Sequence, residues 1–229
     1  MTVPSWHEDD SSNLSLIQSN AAQLIKELRA TATDRMLPTR ETLCHWHARL
    51  YAGCRVPVRD YVGHFRGDPD VKELVDYEVG LGPPLKDGNL EKMGVWARQV
   101  SNEIDAVLAG LLAVFLELDA RLPVGMPPTA PDQILEVISF GALAHGEILR
   151  VHPFANGNGR IARLLVAFIC LRYGLPMFLH IKPRPESEDY LRASRDSMGR
   201  PPDFVGNHTT TIAVFAHLLA DVLASERVP

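Results

Sequence analysis

The sequence predicts an all-α protein, a helical bundle with a short β-hairpin flap, and three observations support this fold class. Apolar residues recur with helical spacing over most of the 229 residues. Glycine and proline stand between the periodic segments, as in Gly174-Leu175-Pro176, where they end helices. The stretch 56–87 has poor periodicity and frequent Gly and Pro, which is typical of loops and short strands. We therefore expect helices elsewhere and one small extended insertion.

Two helices are expected before this insertion. Residues 13–30 carry Leu and Ile side chains at helical spacing. The next helix should be capped by Thr39, whose hydroxyl can accept a hydrogen bond from a free N–H group, and should end at Gly53. Within the insertion, "YVGHF" and "ELVDYEVGL" are the expected extended pieces, and we place the flap at about 60–82.

Five helices are expected after the flap. Residues 90–122 form the first, which is almost wholly apolar from 104 to 118. Asp132 is the expected cap of the second, which runs to about Arg150 and should be central because it is apolar on most faces. The remaining helices are expected at 158–173, 187–198 and 209–225.

Composition and charge exclude several classes of protein. A formal net charge of −5 without any basic run excludes a nucleic-acid binder. The longest apolar run, 106–116, is too short to cross a bilayer, and the acidic N-terminus lacks the apolar core of a signal peptide. Three cysteines without close spacing favour a reducing compartment. We expect a cytoplasmic protein that binds no nucleic acid and no membrane, with residues 1–35 as an N-terminal helix packed on a domain of residues 36–229.

The stretch "HPFANGNGRIAR", residues 152–163, lies between the two central helices and carries the chemistry. Pro153 and the glycines interrupt helical structure, so residues 152–157 form a tight loop that can approach a ligand closely. The helix that follows starts with free N–H groups and the positive end of its dipole, which favour an anion. Arg160 and Arg163 are one turn apart and suit a polyphosphate. His152 is placed as a general base near neutral pH.

This stretch resembles the signature of the Fic (Fic/Doc) family, H-P-F-x-[D/E]-G-N-G-R-x-x-R. The resemblance is weakest between Arg66 and Gly94 and extends to "LCHWHARLYAG", "YVGHFR", "ALAHGEILRVHPF", "GRIARLLVAFICLRYGLP" and "YLRAS". It implies a Fic-type helical bundle that moves a nucleoside monophosphate, AMP from ATP in the first place, to a Ser, Thr or Tyr hydroxyl of a target protein. ATP or another NTP would be the substrate, with Mg²⁺ or Mn²⁺.

The resemblance implies roles for residues on both sides of the transfer. His152 would be the general base that deprotonates the target hydroxyl, and Phe154 would anchor the loop in the core. A flap that includes Phe65 and Arg66 would present the target by strand pairing.

The resemblance also assigns the phosphate-binding residues. Gly157, Asn158 and Gly159 would surround the α- and β-phosphates. Arg160 would hold the β-phosphate, and Arg163 would hold the γ-phosphate.

Asn156 departs from the signature, which has Asp or Glu at this position as a ligand of Mg²⁺. An amide oxygen is a weaker ligand for a hard cation than a carboxylate. The departure leaves two other functions open: transfer from another donor, such as UTP, GTP or a phosphodiester metabolite, and a non-catalytic nucleotide- or protein-binding module.

Control of activity also departs from the family. Many Fic proteins carry an inhibitory helix, [S/T]-x-x-x-E-[G/N], whose glutamate pairs with the last arginine of the signature. The nearest stretch here, "SLIQSN", puts Ser19 at the glutamate position, and a serine cannot neutralise Arg163. We expect a protein that lacks this self-inhibition or is inhibited by an antitoxin-like partner. The apolar surface of the 104–118 helix is compatible with a homodimer.

Polar residues outside the motif are assigned structural roles. His145, on an apolar helix, is expected to be a hydrogen-bonded core histidine. His45 and His47 would face nearly opposite ways on one helix, so they do not form a metal site together. The acidic residues 8–10 are expected to be a solvated tail.

Overall fold

The computed structural model describes residues 4–6, 9–81 and 91–225. Seven α-helices and one antiparallel hairpin account for most of these residues, with single turns of 3₁₀-helix at Ser11–Asn13, Arg59–Tyr61 and Ala97–Gln99. The elements in chain order are α1 (Leu14–Thr33), α2 (Arg40–Leu50), β1 (Val79–Leu81), β2 (Glu91–Met93), α3 (Val100–Arg121), α4 (Pro131–Val151), α5 (Asn158–Arg172), α6 (Glu188–Met198) and α7 (Thr209–Ser225). The all-α prediction with a short hairpin is confirmed.

Helix α5 lies at the centre of the bundle. It packs against α4, α1 and α2, and nearly all of its residues are buried, which is typical of a helix that is apolar on every face. Phe168 shows this position, since its ring lies 5.8 Å from that of Trp46 on α2 and 6.1 Å from that of Phe115 on α3. The motif loop therefore joins the two most buried helices, α4 and α5, and is held from several sides.

Most predicted helix ends agree with the structure. The hydroxyl of Thr39 accepts a hydrogen bond from the N–H of Thr42 and caps α2 as expected. Gly174 follows α5 in the left-handed conformation. Asp132 is not the cap of α4: the helix begins at Pro131 after Ala130, because proline is already suited to the first helical position, and Asp132 lies in the first turn.

The flap lies further along the chain than predicted. Val79 pairs with Met93 and Gly80 with Lys92, so the hairpin begins at 79 and its second strand falls inside the segment 90–122 that we predicted to be helical. The connection between the strands, 82–90, lies outside the described residues. Helix α3 begins only at Val100. The prediction of one helix over 90–122 is therefore wrong for residues 91–99.

The stretch "YVGHF" is not a strand. Its first residue, Tyr61, ends a 3₁₀ turn and further turns follow, because its backbone N–H groups bond within these turns and to the ring of His47 instead of to a strand. The N–H of Arg66 donates to the carbonyl of Pro153 at 2.7 Å, and the N–H of Gly67 donates to that of Leu74 at 2.7 Å. This loop, 62–77, contacts the motif through the hydrogen bond between Arg66 and Pro153.

Candidate active site

His152 is the last residue before the motif loop and has an unusual backbone conformation. It caps α4 with φ 55° and ψ 57°, in the left-handed region, and its N–H still bonds to the carbonyl of Ile148. Its Nδ1 lies 3.1 Å from the carbonyl oxygen of Leu149. Because a carbonyl only accepts, Nδ1 carries the proton and Nε2 keeps its lone pair. The geometry thus selects the tautomer in which Nε2 can act as a base.

The charge state of His152 is set by its surroundings. Burial, reinforced by the positive charges of Arg66 and Lys92, lowers the pKa of His152 to about 3. The imidazole is therefore neutral at pH 7, as the role of a base requires.

The side chain of Asn158 closes the motif loop. Its Oδ1 accepts from the N–H of Phe154 and its Nδ2 donates to the carbonyl of Phe154, both at 2.8 Å. Both ends of the side-chain amide therefore bond within the protein, which leaves only the backbone N–H of Asn158 for a ligand. Phe154 is fully buried, in the place expected of a loop anchor.

His47 braces the loop from α2. Its ring stacks on that of Phe154, with centroids 4.0 Å apart and planes 2° from parallel. Nδ1 accepts the N–H of Gly63 at 2.9 Å, so Nε2 must carry the proton that it donates to the carbonyl of Asn156 at 3.0 Å. Burial lowers the pKa of His47 to about 3, which keeps the ring neutral. The sequence indicated a structural histidine but not this link to the motif.

Arg66 also holds the motif loop, at its first residues. Its side chain is buried, and its guanidinium donates to the carbonyls of His152 (2.7 Å), Val151 (3.2 Å) and Val95 (3.0 Å). Phe65 is buried as well, with its ring 5.0 Å from that of Phe154. Both residues were expected in the target-presenting flap, but their side chains face the core and hold the motif instead.

The hairpin itself approaches the histidine through Gly94. This residue follows β2 with φ 65°, and a Cβ there would lie 2.2 Å from the Cβ of His152. Only glycine permits this approach. The end of the flap therefore lies directly against the candidate base.

A cleft of about 410 Å³ opens between the motif and the loop that joins α5 to α6. Gly157 is in the left-handed conformation at the start of α5, and a Cβ there would lie 2.8 Å from the ring of Tyr51. Asn158 and Gly159 follow at the positive end of the helix dipole. The residues that line the cleft are His152, Asn156, Gly157, Asn158, Gly159, Arg160, Arg163, Lys182, Pro183, Arg184 and Glu186. The structure thus brings all the predicted phosphate-binding residues to one cavity.

Arg160 is engaged by the N-terminal segment. Its guanidinium forms an ion pair with the carboxylate of Asp9 and a hydrogen bond with the hydroxyl of Tyr51. Trp6 fixes the segment, since it is buried with its ring 4.7 Å from that of Tyr51, and its N–H donates to the hydroxyl of Tyr77 at 2.7 Å. The expectation that Asp9 belongs to a solvated tail is therefore wrong, because Trp6 anchors this segment to the core.

Arg163 contacts only neutral groups within the described residues. Its Nη2 donates to the carbonyl of Ile181 at 2.8 Å and its Nη1 to the hydroxyl of Tyr190 at 3.1 Å. The Tyr190 hydroxyl lies 3.0 Å from Nε2 of His145, which confirms His145 as a hydrogen-bonded core histidine. Ser19 is exposed on α1, and its hydroxyl is not among the partners of Arg163 in the described part of the chain.

Asn156 does not present the oxygen that a divalent cation would need. Its Oδ1 accepts the N–H of Gly157 at 2.6 Å, and its backbone oxygen accepts from His47. Because an N–H group must face an acceptor, this contact also fixes which end of the amide is oxygen. The remaining end, Nδ2, is a donor without a partner in the described part of the chain. The residues therefore do not fit the metal ligand that the family signature implies.

Two cationic residues of the cleft were missed by sequence analysis. Lys182 and Arg184 come from the loop after α5 and face the motif. The only signal was the pair of cations in "IKPRP", shortly after the motif helix, and such pairs are common on surfaces. Across the described ranges, no helix is long and apolar enough to cross a membrane.

Comparison with known proteins agrees with the geometry. The chain is 39% identical over 70 residues to a protein adenylyltransferase Fic from Nematostella vectensis, and 27% identical over 125 residues to the protein adenylyltransferase and cysteine protease IbpA from Histophilus somni. The first alignment covers 30% of this chain and 16% of that relative, and the second covers 54% and 3%. The matched region is thus a small part of much longer proteins.

A solved structure supports the fold. A Fic-domain-containing signaling protein from Bacteroides thetaiotaomicron superposes with a TM-score of 0.59 at 20% identity, covering 95% of this chain and 70% of the other. The Fic/DOC family profile matches residues 37–170, more than half of the chain and all of the motif. Motif, fold and profile agree, and the chain belongs to the Fic/DOC family.

Proposed function

We propose that this protein transfers a nucleoside monophosphate, AMP from ATP, to a Ser, Thr or Tyr hydroxyl of a target protein, with His152 as the general base. The observation that carries the proposal is the tautomer of His152. Its Nδ1–H is held by the Leu149 carbonyl, which leaves the lone pair of Nε2 beside a cleft built for an anion. The relatives named protein adenylyltransferases support this class of reaction.

The reaction is a single displacement at the α-phosphorus. The target oxygen forms a bond to phosphorus as its proton passes to Nε2 of His152, and the bond to the β-phosphate breaks, which releases pyrophosphate. The polyphosphate itself adjusts the base, because its negative charge raises the pKa of the neighbouring imidazole from the low value set by burial.

The start of α5 provides donors for the phosphates. The N–H groups of Arg160 and Ile161 already bond to the carbonyl of Gly157, so those of Asn158 and Gly159 are left at the end of the helix. They would bind the α- and β-phosphates. Arg160 would hold the β-phosphate after it exchanges Asp9 for phosphate oxygens, and Arg163 would hold the γ-phosphate.

The hairpin would present the target. A two-stranded sheet has unpaired edges, and an extended segment of another protein can add to such an edge as a further strand. Gly94 brings the end of this hairpin against His152. A hydroxyl carried by the added strand would therefore lie near Nε2.

An antitoxin-like inhibitor, a homodimer and a cytoplasmic location stay predictions.

Two observations favour a second candidate, a module that binds nucleotide without turnover. Asp9 forms an ion pair with Arg160, where phosphate would bind. Asn156 lacks the negative charge of the Asp or Glu in the family signature. A binder and an enzyme differ in product, so the two candidates are separable by mass.

Intact-mass spectrometry tests the proposal. The protein is incubated with each of the four NTPs and a cell lysate, with Mg²⁺, with Mn²⁺ or with EDTA. A nucleoside-monophosphate increment on any protein, lost in His152→Ala, is expected. The matched control is His217→Ala, since that side chain is 77% exposed on α7. Binding without an increment in all conditions would favour the non-catalytic module.

A further inference from the structure

The cleft carries positive charge beyond the two arginines of the motif. Lys182 and Arg184 line the wall opposite α5, and within the described residues neither forms an ion pair with an acid. Partial burial, followed by the charge of Arg160, lowers the pKa of Lys182. Glu186, the one acid among the lining residues, is exposed at the rim. Four cationic side chains thus surround the space where a polyphosphate would lie.

The side chain at the position of the signature's metal ligand does not favour a cation. Both oxygens of Asn156 already accept hydrogen bonds, from Gly157 and His47, and its free end is the donor Nδ2. A donor without a partner favours an anionic oxygen and disfavours a cation. The described residues also contain no group of three or more His, Cys, Asp or Glu side chains that could hold a metal ion.

These two features have a common consequence. We infer that the cleft takes the polyphosphate of its donor as the free anion, without a divalent cation, and that Lys182 and Arg184 supply the positive charge that a metal would otherwise supply. The inference rests on the proposed function for the identity of the donor. Ammonium and guanidinium groups neutralise phosphate oxygens directly, and the guanidinium can do so with two parallel hydrogen bonds.

Calorimetric titration of the full chain tests this inference with two probes, ATP and inorganic tripolyphosphate. Each probe is titrated in EDTA and in excess Mg²⁺ at matched ionic strength, because screening alters such affinities. Both probes are expected to bind at least as tightly in EDTA as in Mg²⁺. Lys182→Ala should weaken tripolyphosphate binding in EDTA about tenfold, the effect of one charged hydrogen bond. Lys26→Ala, a lysine on α1 outside the cleft, is the control and should change nothing.

In the Asn156→Asp variant, we expect the affinity for ATP to depend on Mg²⁺ in the opposite way. The added carboxylate repels free phosphate and supplies a hard oxygen ligand, so ATP should bind more weakly in EDTA and recover in Mg²⁺. Tighter binding of ATP by the unaltered protein in Mg²⁺ than in EDTA overturns the inference and leaves the proposed transfer intact. Tight binding in EDTA with no transfer to any protein overturns the proposed function alone. Absence of binding in both buffers overturns both.

Discussion

The two ends of helix α5 carry buried arginines in opposite electrostatic settings. At the C-terminal end, Arg172 pairs with the carboxylate of Asp119, which also receives Arg35 at 2.6 Å and the Tyr173 hydroxyl at 3.0 Å. At the N-terminal end, Arg163 has only a carbonyl and a hydroxyl as described partners. Asp119 belongs to the packed helix α3, so Arg172 is neutralised by the fold itself. Arg163 is left with its charge available for a ligand.

Arg160 is intermediate between these two cases. It does pair with an acid, but Asp9 belongs to the N-terminal segment before α1 and not to a core helix. A counter-ion on such a segment can be exchanged for a phosphate at lower cost than one on a packed helix. The three arginines are all buried, so the source of the counter-ion, and not burial, distinguishes Arg172 from the two arginines that we propose to bind phosphate.

The largest expected effect is the difference in stability between the Arg172→Met and Arg163→Met variants. Arg172→Met should lower the free energy of unfolding by about 3 kcal/mol, because it leaves the partly buried carboxylate of Asp119 short of its main partner. Arg163→Met should change it by less than about 1 kcal/mol, since no carboxylate in the described chain loses a partner, yet it should abolish tripolyphosphate binding. Urea unfolding and calorimetry measure the two quantities. Equal losses of stability would contradict the comparison.

Gly157→Ala should lower the free energy of unfolding by about 2 kcal/mol. The residue has φ 81°, and the added Cβ would meet the ring of Tyr51 at 2.8 Å. Because the strain is localised at the end of α5 that we propose to bind the phosphates, tripolyphosphate affinity should fall as well. Gly110→Ala on α3, where a Cβ meets nothing within 4 Å, is the control and should not destabilise. A destabilisation by Gly110→Ala as large as that by Gly157→Ala would show that the effect is not local.

Asp9→Asn should raise the affinity for tripolyphosphate about fivefold, because the substitution removes the carboxylate that competes with phosphate for Arg160. It also keeps the size of the side chain. Asp10→Asn is the neighbouring control, since Asp10 caps a 3₁₀ turn and its ion pair with Arg55 does not involve the cleft arginines. Unchanged affinity in Asp9→Asn would mean that the Asp9–Arg160 pair does not oppose binding.

The smallest expected effect concerns how steeply the free energy of unfolding falls at acidic pH. Burial alone would raise the pKa of Asp119, but hydrogen bonds from Arg172 and Tyr173 outweigh it and hold the pKa below its usual value of 3.8. A group whose pKa is lowered in the folded state stabilises the protein above its unfolded pKa, and this contribution is lost as the pH falls through the folded pKa. Asp119→Asn should therefore flatten the fall in stability below about pH 4, as followed by urea unfolding at several pH values. If the free energy of unfolding of Asp119→Asn fell as steeply with pH as that of the unaltered protein, Asp119 would not be the source of this pH dependence.

Sequence patterns are most informative where the chemistry is local. The helices α4 and α5, the loop between them and the cap at Thr39 depend on neighbours along the chain, so periodicity and turn residues predict them. The motif spacing likewise predicts that His152, Arg160 and Arg163 meet at one helix end. The hairpin lies further along the chain than predicted because strand pairing joins residues 79–81 to 91–93, and such pairing leaves little signal in short strands.

The sequence by itself determined the family, the helical bundle and the motif residues that meet at the cleft. The tertiary structure alone decided what those residues contact: Asp9 on Arg160, His47 and Arg66 on the loop, and Lys182 and Arg184 on the opposite wall. The reason is physical. Helical periodicity acts over a few residues, whereas the partners of His47 and Arg160 at the motif come from segments more than a hundred residues away along the chain.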